Sequence, residues 1–487
     1  MNIRPQVRFL SDQLIEKILD ESRDVLCKLG TKIHNEGILE LLSGFGAEVD
    51  RTTNNVIYTQ EIIDKALGTV PSSFKLYDTS GEETHNFSEN NVYFTPGSAA
   101  LNILDSETGE IRRPGTSDYI KYVKLVSSLD HIAAQSTAFV PDDVHEKVSD
   151  SYRLYLSLLF GKKPVVTGTF TIDAFNVMHE MQVMVRGNST NLKEKPLTIF
   201  SCCPTSPLKW SDVTSQNVID CGKNGIPIEF IAMPLTGFIS PVTITGTLVA
   251  HTAETLSGIV ISQLANPGAP LLYGGSPAAF DIRYETTPMG AVETQMIDCA
   301  YNEIGKYLRI PTQAYISLSD SKRLDAQAGL ESAMGATMAV LSGINSISGP
   351  GMLDFENCQS LEKLVVDNEI CGMTLRMAEG IVPREDFPAL PHFQELLKEN
   401  HLLIADHTRK YLKDEHYFPG KVIDRANLSR WEEEGSLTLK ERAKSEVDKH
   451  IANYTPTDLS DDVKKELTGL MVTESKKYGM DSLPEQN

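Results

Sequence analysis

Short apolar runs alternate with longer amphipathic stretches through the middle of this chain. Each run ends in glycine, proline or small hydroxyl residues, which is typical of buried parallel strands that stop at tight loops. The intervals between runs are long enough for a helix and two loops. We predict strands at Val92–Thr95, Ile132–Ala138, Pro164–Gly168, Leu197–Ser201, Ile228–Met233, Leu271–Gly274, Thr312–Ser317 and Ile344–Ser348. The predicted helices cover residues 117–129, 148–160, 173–186, 212–224, 245–265, 289–308, 326–342 and 359–378.

This alternation predicts an α/β fold, specifically a (β/α)8 TIM barrel. The alternative is a doubly wound open sheet. We assign residues 89–385 to the barrel and residues 1–88 to an α-rich N-terminal region, with helices over 11–29, 35–44 and 60–67. Residues 386–487 form a C-terminal helical region, with helices near 393–412 and 436–451 and then a polar tail.

Composition narrows the classes of partner. Lys and Arg number 45 against 66 Asp and Glu, a net charge of −21 over 487 residues. Such an acidic surface repels nucleic acid and anionic membranes. No run approaches the roughly 18 apolar residues of a membrane span, and the segment after Met1 lacks a signal peptide's apolar core. We therefore expect a cytoplasmic protein. The seven cysteines form no CxxC pair, which indicates a reduced compartment.

In a barrel of this kind, chemistry takes place at the C-terminal ends of the strands. These ends are rich in glycine, small hydroxyls and aromatics, and they contain no histidine. HExxH, GxSxG and P-loop motifs are absent from the sequence. We therefore expect no acid–base residue, and the catalytic residue is unknown. The strand-end candidates are Tyr93, Phe94, Gly97, Ser98, Phe139, Tyr273, Gly274, Gly275, Ser276, Tyr315, Gly349, Gly351 and Phe355, with the charged residues Asp281, Arg283, Asp320, Lys322 and Asp325.

Each group of candidates also has a structural interpretation. The glycines could serve only tight turns, and the aromatics could belong to the core. Asp281 and Arg283 could pair with each other at the rim, and the charges around Lys322 could form an ion network. Cys202 and Cys203 could bind zinc, but no matching His or Cys spacing supports it, so we expect no bound metal.

Several of these segments together resemble one family. They are Tyr273-Gly274-Gly275-Ser276, Asp281-Ile282-Arg283, Asp320-Ser321-Lys322, Asp325-Ala326-Gln327-Ala328-Gly329, Gly349-Pro350-Gly351-Met352-Leu353 and Val366-Asp367-Asn368-Glu369-Ile370. In order and spacing they are similar to the trimethylamine methyltransferase (MttB-like) family. That resemblance implies a (β/α)8 barrel that moves a methyl group from an amine to the cobalt of a separate corrinoid protein. Archaeal trimethylamine enzymes carry pyrrolysine, whereas this sequence holds only the standard residues.

Members without pyrrolysine resemble enzymes for quaternary amines such as glycine betaine, proline betaine or carnitine. A quaternary nitrogen leaves as a neutral amine, so the reaction needs position and electrostatics more than proton transfer. The resemblance thus implies a trimethylammonium group among aromatic rings, and a substrate carboxylate held by Arg283, Lys322 or the 274–276 backbone. The candidates for substrate binding are Tyr93, Phe94, Tyr273, Gly274, Gly275, Ser276, Arg283, Tyr315, Lys322 and Phe355, and those facing the corrinoid are Gly97, Ser98, Gly349 and Gly351.

The implied partners are a corrinoid protein carrying cobalamin and a small quaternary amine, and a chain of this size is expected to form a homo-oligomer. Two other functions stay open. One is a zinc- or folate-dependent barrel methyltransferase. The other is a betaine-binding protein without catalytic activity.

Overall fold

The computed structural model describes residues 3–486, and it contains a strand at each of the eight predicted positions and a helix after each of them. We label these sixteen elements in chain order and name the others by their ranges. The strands are β1 (Tyr93–Thr95), β2 (Gln135–Ser136), β3 (Val165–Thr167), β4 (Thr198–Cys202), β5 (Ile228–Phe230), β6 (Leu271–Leu272), β7 (Gln313–Tyr315) and β8 (Ser346–Ser348). The helices are α1 (Thr116–Ser127), α2 (Ser149–Phe160), α3 (Ile172–Arg186), α4 (Asp212–Asn224), α5 (Ile244–Ala265), α6 (Val292–Tyr307), α7 (Ala326–Ser342) and α8 (Leu361–Ala378).

The labelled strands pair in parallel and in an order that follows the chain. β2 to β6 form one five-stranded sheet, and β7, β8 and β1 form a three-stranded sheet. A parallel bridge between Tyr273 and Thr312 connects β6 to β7. At the other edge, the Ala133 N–H donates to the Phe94 carbonyl at 2.8 Å. The protein therefore has a mixed α/β fold whose two parallel sheets are connected at both pairs of edges.

Helix α5 lies almost entirely inside the protein. It packs against α4, α6 and the N-terminal helices Asp12–Lys28 and Gln60–Leu67. A helix covered on all sides is apolar on all sides. By length and composition α5 could cross a bilayer, but 72% of its apolar window is buried within the protein. Its composition is thus that of a central core helix.

The N-terminal region contains the three predicted helices, at Asp12–Lys28, Glu36–Gly44 and Gln60–Leu67, each capped by the side chain of the preceding residue. It also contains strands that we did not predict. Thr31–Ile33, Glu48–Asp50 and Asn55–Ile57 form a small sheet with Lys209–Trp210. Runs of three residues are too short to show strand periodicity, so only pairing in the folded chain defines them.

A hairpin of Phe74–Tyr77 and Glu83–Phe87 covers the sheets at the N-terminal ends of the strands. Its Leu76 and Phe87 pack against Val166, Ile199 and Leu272, which face away from the helices. The hairpin therefore closes the end opposite to the one where we predicted chemistry.

The C-terminal region is more helical than predicted. The single helix expected near 393–412 is two helices, Leu390–Glu399 and Asp406–Glu415, and Leu428–Glu433 and Leu439–Ala452 follow. The expected polar tail contains a further helix, Asp461–Lys476, so that prediction was wrong. Its Leu467 and Met471, one turn apart, are buried, and the helix packs against α2 and α3. Two apolar positions on one face suffice to hold a largely polar helix on a neighbouring surface.

Short strands and helices lie within the loops between the labelled elements. They are the strands Asn102–Leu104, Ile111–Arg112, Leu235–Thr236, Ala278–Ala279, Met352–Leu353 and Cys358–Gln359, the α-helix Ser189–Glu194 and the 3-10 helix Glu146–Val148. Most follow the C-terminal ends of the labelled strands, and they build up the walls around the site described next.

Candidate functional site

A cavity of about 810 Å³ lies at the C-terminal ends of the labelled strands. Strands β3, β4 and β7 contribute lining residues of their own, and the other five labelled strands contribute through the residues that follow them. The lining includes Ser98, Thr137, Thr167, Ser201, Cys203, Met233, Ser276, Tyr315, Phe355 and Glu356. This is the position that the strand-end rule predicts. The volume is that of a site for a small organic ligand.

The carboxyl group of Glu229 lies beside this cavity, buried within the sheet. Its neighbours Ile228 and Phe230 pack in the main core, so strand alternation directs Glu229 to the opposite face. The Ser201 hydroxyl donates to its Oε1 at 2.7 Å, and its Oε2 has no hydrogen-bond partner among residues 3–486. Burial raises the pKa of Glu229 to about 7. A buried carboxyl oxygen without a partner beside a cavity is available to a ligand.

A second carboxyl group, that of Glu356, forms part of the cavity wall. Its Oε1 accepts a hydrogen bond from the Ser98 N–H at 3.2 Å. Burial raises its pKa well above the usual range, and the nearby charge of Glu229 raises it further. The Tyr315 hydroxyl lies 3.3 Å from the Ser98 hydroxyl, and burial followed by these two carboxyls raises its pKa as well. The site therefore combines two carboxyl groups with one aromatic ring.

The loop that presents Glu356 has an unusual backbone. Asp354, Phe355 and Glu356 have φ values of 52°, 56° and 72°, three consecutive left-handed residues without glycine. Each such residue costs on the order of 1 kcal/mol. The Asp354 N–H donates to the Ser321 carbonyl at 2.9 Å, and Lys322 Nζ lies 3.3 Å from the Asp354 carboxylate and 3.8 Å from the Phe355 ring centroid. Lys322 therefore anchors the loop from outside the cavity lining, and its role in binding a substrate carboxylate stays a prediction.

The positive charge at the cavity wall comes from Arg153 on α2. This buried side chain pairs with Asp150 at 2.8 Å and donates to the carbonyls of Thr137 at 3.1 Å and Ser149 at 3.3 Å. Its guanidinium carbon lies 5.4 Å from the Phe170 ring centroid, and both residues line the cavity. A guanidinium has five N–H donors. Three of them are used in these contacts, so two stay available for a ligand. Arg153 therefore holds oriented N–H donors at the cavity wall, and Asp150 balances its charge.

Four of the predicted site residues line this cavity: Ser98, Ser276, Tyr315 and Phe355. The other aromatic residues of the predicted cage do not line this cavity. Tyr93 belongs to the hairpin cluster at the opposite end, where its hydroxyl oxygen accepts the Asn86 N–H at 3.0 Å. Phe94 is fully buried in the main core, as is Phe139, and both belong among the core aromatics of the structural interpretation.

Tyr273 also faces away from the cavity. Its hydroxyl donates to Thr252 on α5 at 2.9 Å, and its ring packs near those of His251 and Tyr301. Arg283 is exposed and pairs with Asp281 at 2.5 Å. It forms the rim ion pair that was the alternative interpretation, and it is not among the residues that line the cavity.

The glycines at the strand ends are required by packing. An added Cβ would meet the Phe230 carbonyl at Gly274, the His251 ring at Gly275 and the Ile316 carbonyl at Gly349. At Gly97 and Gly351 it would meet the side chains of Met352 and Gln359. All five glycines are buried, so packing accounts for them, and contact of Gly97, Gly349 or Gly351 with the corrinoid stays a prediction.

Three residues of the site were not among the predicted site residues. Glu229 had a signal, since it is the only charged residue in the eight labelled strands. Glu356 directly follows the selected Phe355, but its direction depends on the left-handed loop. Arg153 lies within a helix, and no strand-end rule points to a helix residue.

The two neighbouring cysteines occupy different environments. Cys203 lines the cavity, whereas Cys202 is buried in the core. Burial raises the pKa of Cys203 to about 12 and raises that of Cys202 well above the usual range, which disfavours the thiolate form that binds metals. Within the described part of the chain, no group of three His, Cys, Asp or Glu residues is arranged to hold a metal ion.

A small polar and aromatic cavity at the strand ends of an α/β fold is characteristic of enzymes that act on small organic molecules. The family model for trimethylamine methyltransferase (MTTB) matches residues 1–479, so the chain belongs to the trimethylamine methyltransferase family. The resemblance found in the sequence is thereby confirmed.

Curated relatives match over almost their whole length. Trimethylamine methyltransferase MttB of Desulfitobacterium hafniense (strain DSM 10664 / DCB-2) is 28% identical, with 96% of this chain and 94% of the relative covered. Glycine betaine methyltransferase of Desulfitobacterium hafniense (strain Y51) is 27% identical, with 98% of each covered. The crystal structure of Methanosarcina barkeri monomethylamine methyltransferase (MtmB) has the same fold, with a TM-score of 0.53 at 13% identity over 98% of this chain and 89% of that one.

The buried Glu229 makes stability depend on pH. Its folded-state pKa of about 7 lies above its ordinary value of 4.5, so the folded protein holds the proton more tightly than the unfolded chain. The stabilisation is therefore complete below about pH 4.5 and is lost as the pH rises through 7, a change of about 3 kcal/mol. Glu229→Gln removes this loss. We expect the variant to gain stability relative to the wild type between pH 5 and pH 8, as measured by denaturant unfolding.

The matched control is Glu474→Gln. Glu474 is a buried glutamate of the helix Asp461–Lys476, and it pairs with the neighbouring Lys477. It should show no such gain. A stability difference between Glu229→Gln and wild type that stays constant with pH would contradict the prediction.

Proposed function

We propose that this protein demethylates a quaternary amine, glycine betaine or a related betaine such as proline betaine or carnitine. The methyl group would pass to Co(I) of a cognate corrinoid protein. The observation that carries the proposal is the distribution of polar groups in the cavity, where Glu356 and the adjacent Glu229 provide carboxyls and Arg153, paired with Asp150, provides N–H donors for a carboxylate. A betaine has the complementary pair of charges. The relative named glycine betaine methyltransferase supports the same class of substrate.

We also infer that the two parallel sheets together form a (β/α)8 barrel around this cavity. The strands follow the chain order, and the Tyr273–Thr312 bridge and the hydrogen bond from Ala133 to Phe94 connect them at the two remaining edges. A barrel explains why residues from all eight strand ends meet around one cavity.

The proposed reaction is an in-line displacement at a methyl carbon. The C–N bond breaks with its electron pair left on nitrogen, and the electron pair of Co(I) forms the bond to carbon. A neutral tertiary amine leaves, so no proton has to move. The corrinoid is the methyl acceptor, a second substrate that has to meet the amine at the mouth of the cavity, because the cavity itself has the size of a small ligand.

The residues of the cavity would then act by position and electrostatics. Tyr315 and Phe355 offer aromatic faces to the trimethylammonium group, contacts worth roughly 0.5–2 kcal/mol each. The positive charge on nitrogen disappears during transfer, so a very strong anion would hold the substrate more tightly than the transition state. The raised pKa values mean that the empty site carries little negative charge, and a bound cation stabilises the ionised form of a carboxyl, so the charge is present while the substrate is bound.

The test is to mix the protein with reduced cobalamin and a panel of glycine betaine, proline betaine and carnitine. We expect the absorbance of methylcobalamin to appear with at least one of them. Binding of a betaine without methyl transfer, to cobalamin or to a corrinoid protein, would indicate a binding protein instead. Zinc bound in a 1:1 ratio at Cys202 and Cys203 would favour the zinc-dependent alternative.

A further inference from the structure

Two loops beside the cavity mouth expose large apolar side chains to solvent. The first follows β5 and covers residues 233–243, and the second follows β6 and covers residues 276–290. Together they expose Phe238 (64%), Val242 (75%), Ile282 (81%) and Tyr284 (74%). We call these four residues the rim patch. A group of large apolar side chains at this exposure is characteristic of a surface that another molecule covers.

The loops that carry the rim patch are joined to each other. Leu235–Thr236 and Ala278–Ala279 pair in parallel, which extends the sheet beyond the strand ends. The Phe238 ring stacks on the Phe280 ring with centroids 4.8 Å apart. A surface held in this way is already ordered before a partner arrives, so docking loses little conformational entropy.

The rim patch is continuous with the candidate site. Leu235, Ile239 and Ala278 belong to the same two loops and line the cavity. A molecule that covers the rim patch is therefore placed at the mouth, where the methyl acceptor has to arrive.

The charges on this protein favour a partner that binds the rim patch through apolar contacts. The whole chain has a net charge of −21, which repels an acidic partner at long range. Within the second loop, Arg283 and Asp281 neutralise each other at 2.5 Å. The rim patch thus presents apolar side chains next to a closed ion pair, the arrangement of an interface core with a polar edge.

We propose that the rim patch is the docking surface for the corrinoid-carrying protein, which rests on the proposed function. Docking there brings the cobalt of the carrier to the cavity, whereas free cobalamin reaches the cavity without that contact. Comparing the rates with the two acceptors therefore distinguishes an effect on docking from an effect on methyl transfer itself.

The experiment uses the double variant Phe238→Ser/Ile282→Ser and two methyl acceptors. One acceptor is free cob(I)alamin, and the other is a cobalamin-loaded corrinoid protein whose Co(I) the wild type methylates. We expect the KM for the corrinoid protein to rise roughly tenfold or more, as for the loss of two central apolar contacts. The rate with free cob(I)alamin should stay within twofold of wild type, because neither side chain lines the cavity.

The matched control is Phe387→Ser/Leu397→Ser in the C-terminal region, where the two side chains are equally exposed at 82% and 80%. It should leave both acceptors unaffected. An unchanged KM in the rim-patch variant, or an equal rise in the control, would overturn the docking surface. The docking surface would also be overturned if light scattering showed that the wild type is an oligomer and the rim-patch variant is not. The rim patch would then be a contact between copies of this chain. A wild type that methylates neither acceptor would instead remove the proposed function itself.

Discussion

Replacing Glu356 by glutamine should lower kcat/KM for a quaternary amine about 100-fold. Glutamine has the same shape and still offers an oxygen to the Ser98 N–H, so the loop keeps its hydrogen bond. Only the capacity for negative charge is lost. A charged partner in a buried site is worth about 3 kcal/mol, which corresponds to the expected factor. The measurement is the steady-state rate of methyl transfer to cob(I)alamin at varied amine concentration.

The control for this variant is again Glu474→Gln, which lies outside the cavity and should leave the rate unchanged. A second check uses the wild type alone. Because the pKa of Glu229 is about 7 and only its ionised form attracts a cation, KM for the amine should fall as the pH rises through 7. A KM that is independent of pH, together with full activity of Glu356→Gln, would show that the carboxyls do not hold the substrate.

Arg153→Lys should change the choice of substrate. Lysine retains the charge next to Asp150 but lacks the planar fork that binds a carboxylate through two N–H groups. We expect KM for glycine betaine to rise about 10- to 100-fold, the range for a charge-assisted hydrogen bond of 1.5–3 kcal/mol. KM for tetramethylammonium, which has no carboxylate, should change less than about threefold on the same grounds. Parallel kinetics with the two amines measure this difference.

Arg186→Lys is the matched control for Arg153→Lys. Arg186 is also buried, and it donates to the backbone carbonyls of Tyr77, Thr79 and Lys195 away from the cavity. Its replacement should affect stability without changing the ratio of the two KM values. If Arg153→Lys raised both KM values equally, Arg153 would have a structural role only.

The sequence identified the general position of the site but only part of its chemistry. Ser98, Ser276, Tyr315 and Phe355 were selected because they follow strands, and they line the cavity. Phe94 and Tyr273 were selected by the same rule, but they point away from it. In strands of two or three residues, alternation is too brief to reveal which face is the inner one.

Local patterns along the chain determined the order and the approximate positions of the labelled strands and helices. Helix α4, for example, begins after its cap Ser211 and ends before Gly225 with φ of 68°, both readable as sequence signals. Only the tertiary structure decided the composition of the cavity. It brings Glu229 from a strand, Glu356 from a left-handed loop and Arg153 from a helix to one place. Their proximity depends on packing between segments far apart in the chain, and periodicity within a segment carries no information about that packing.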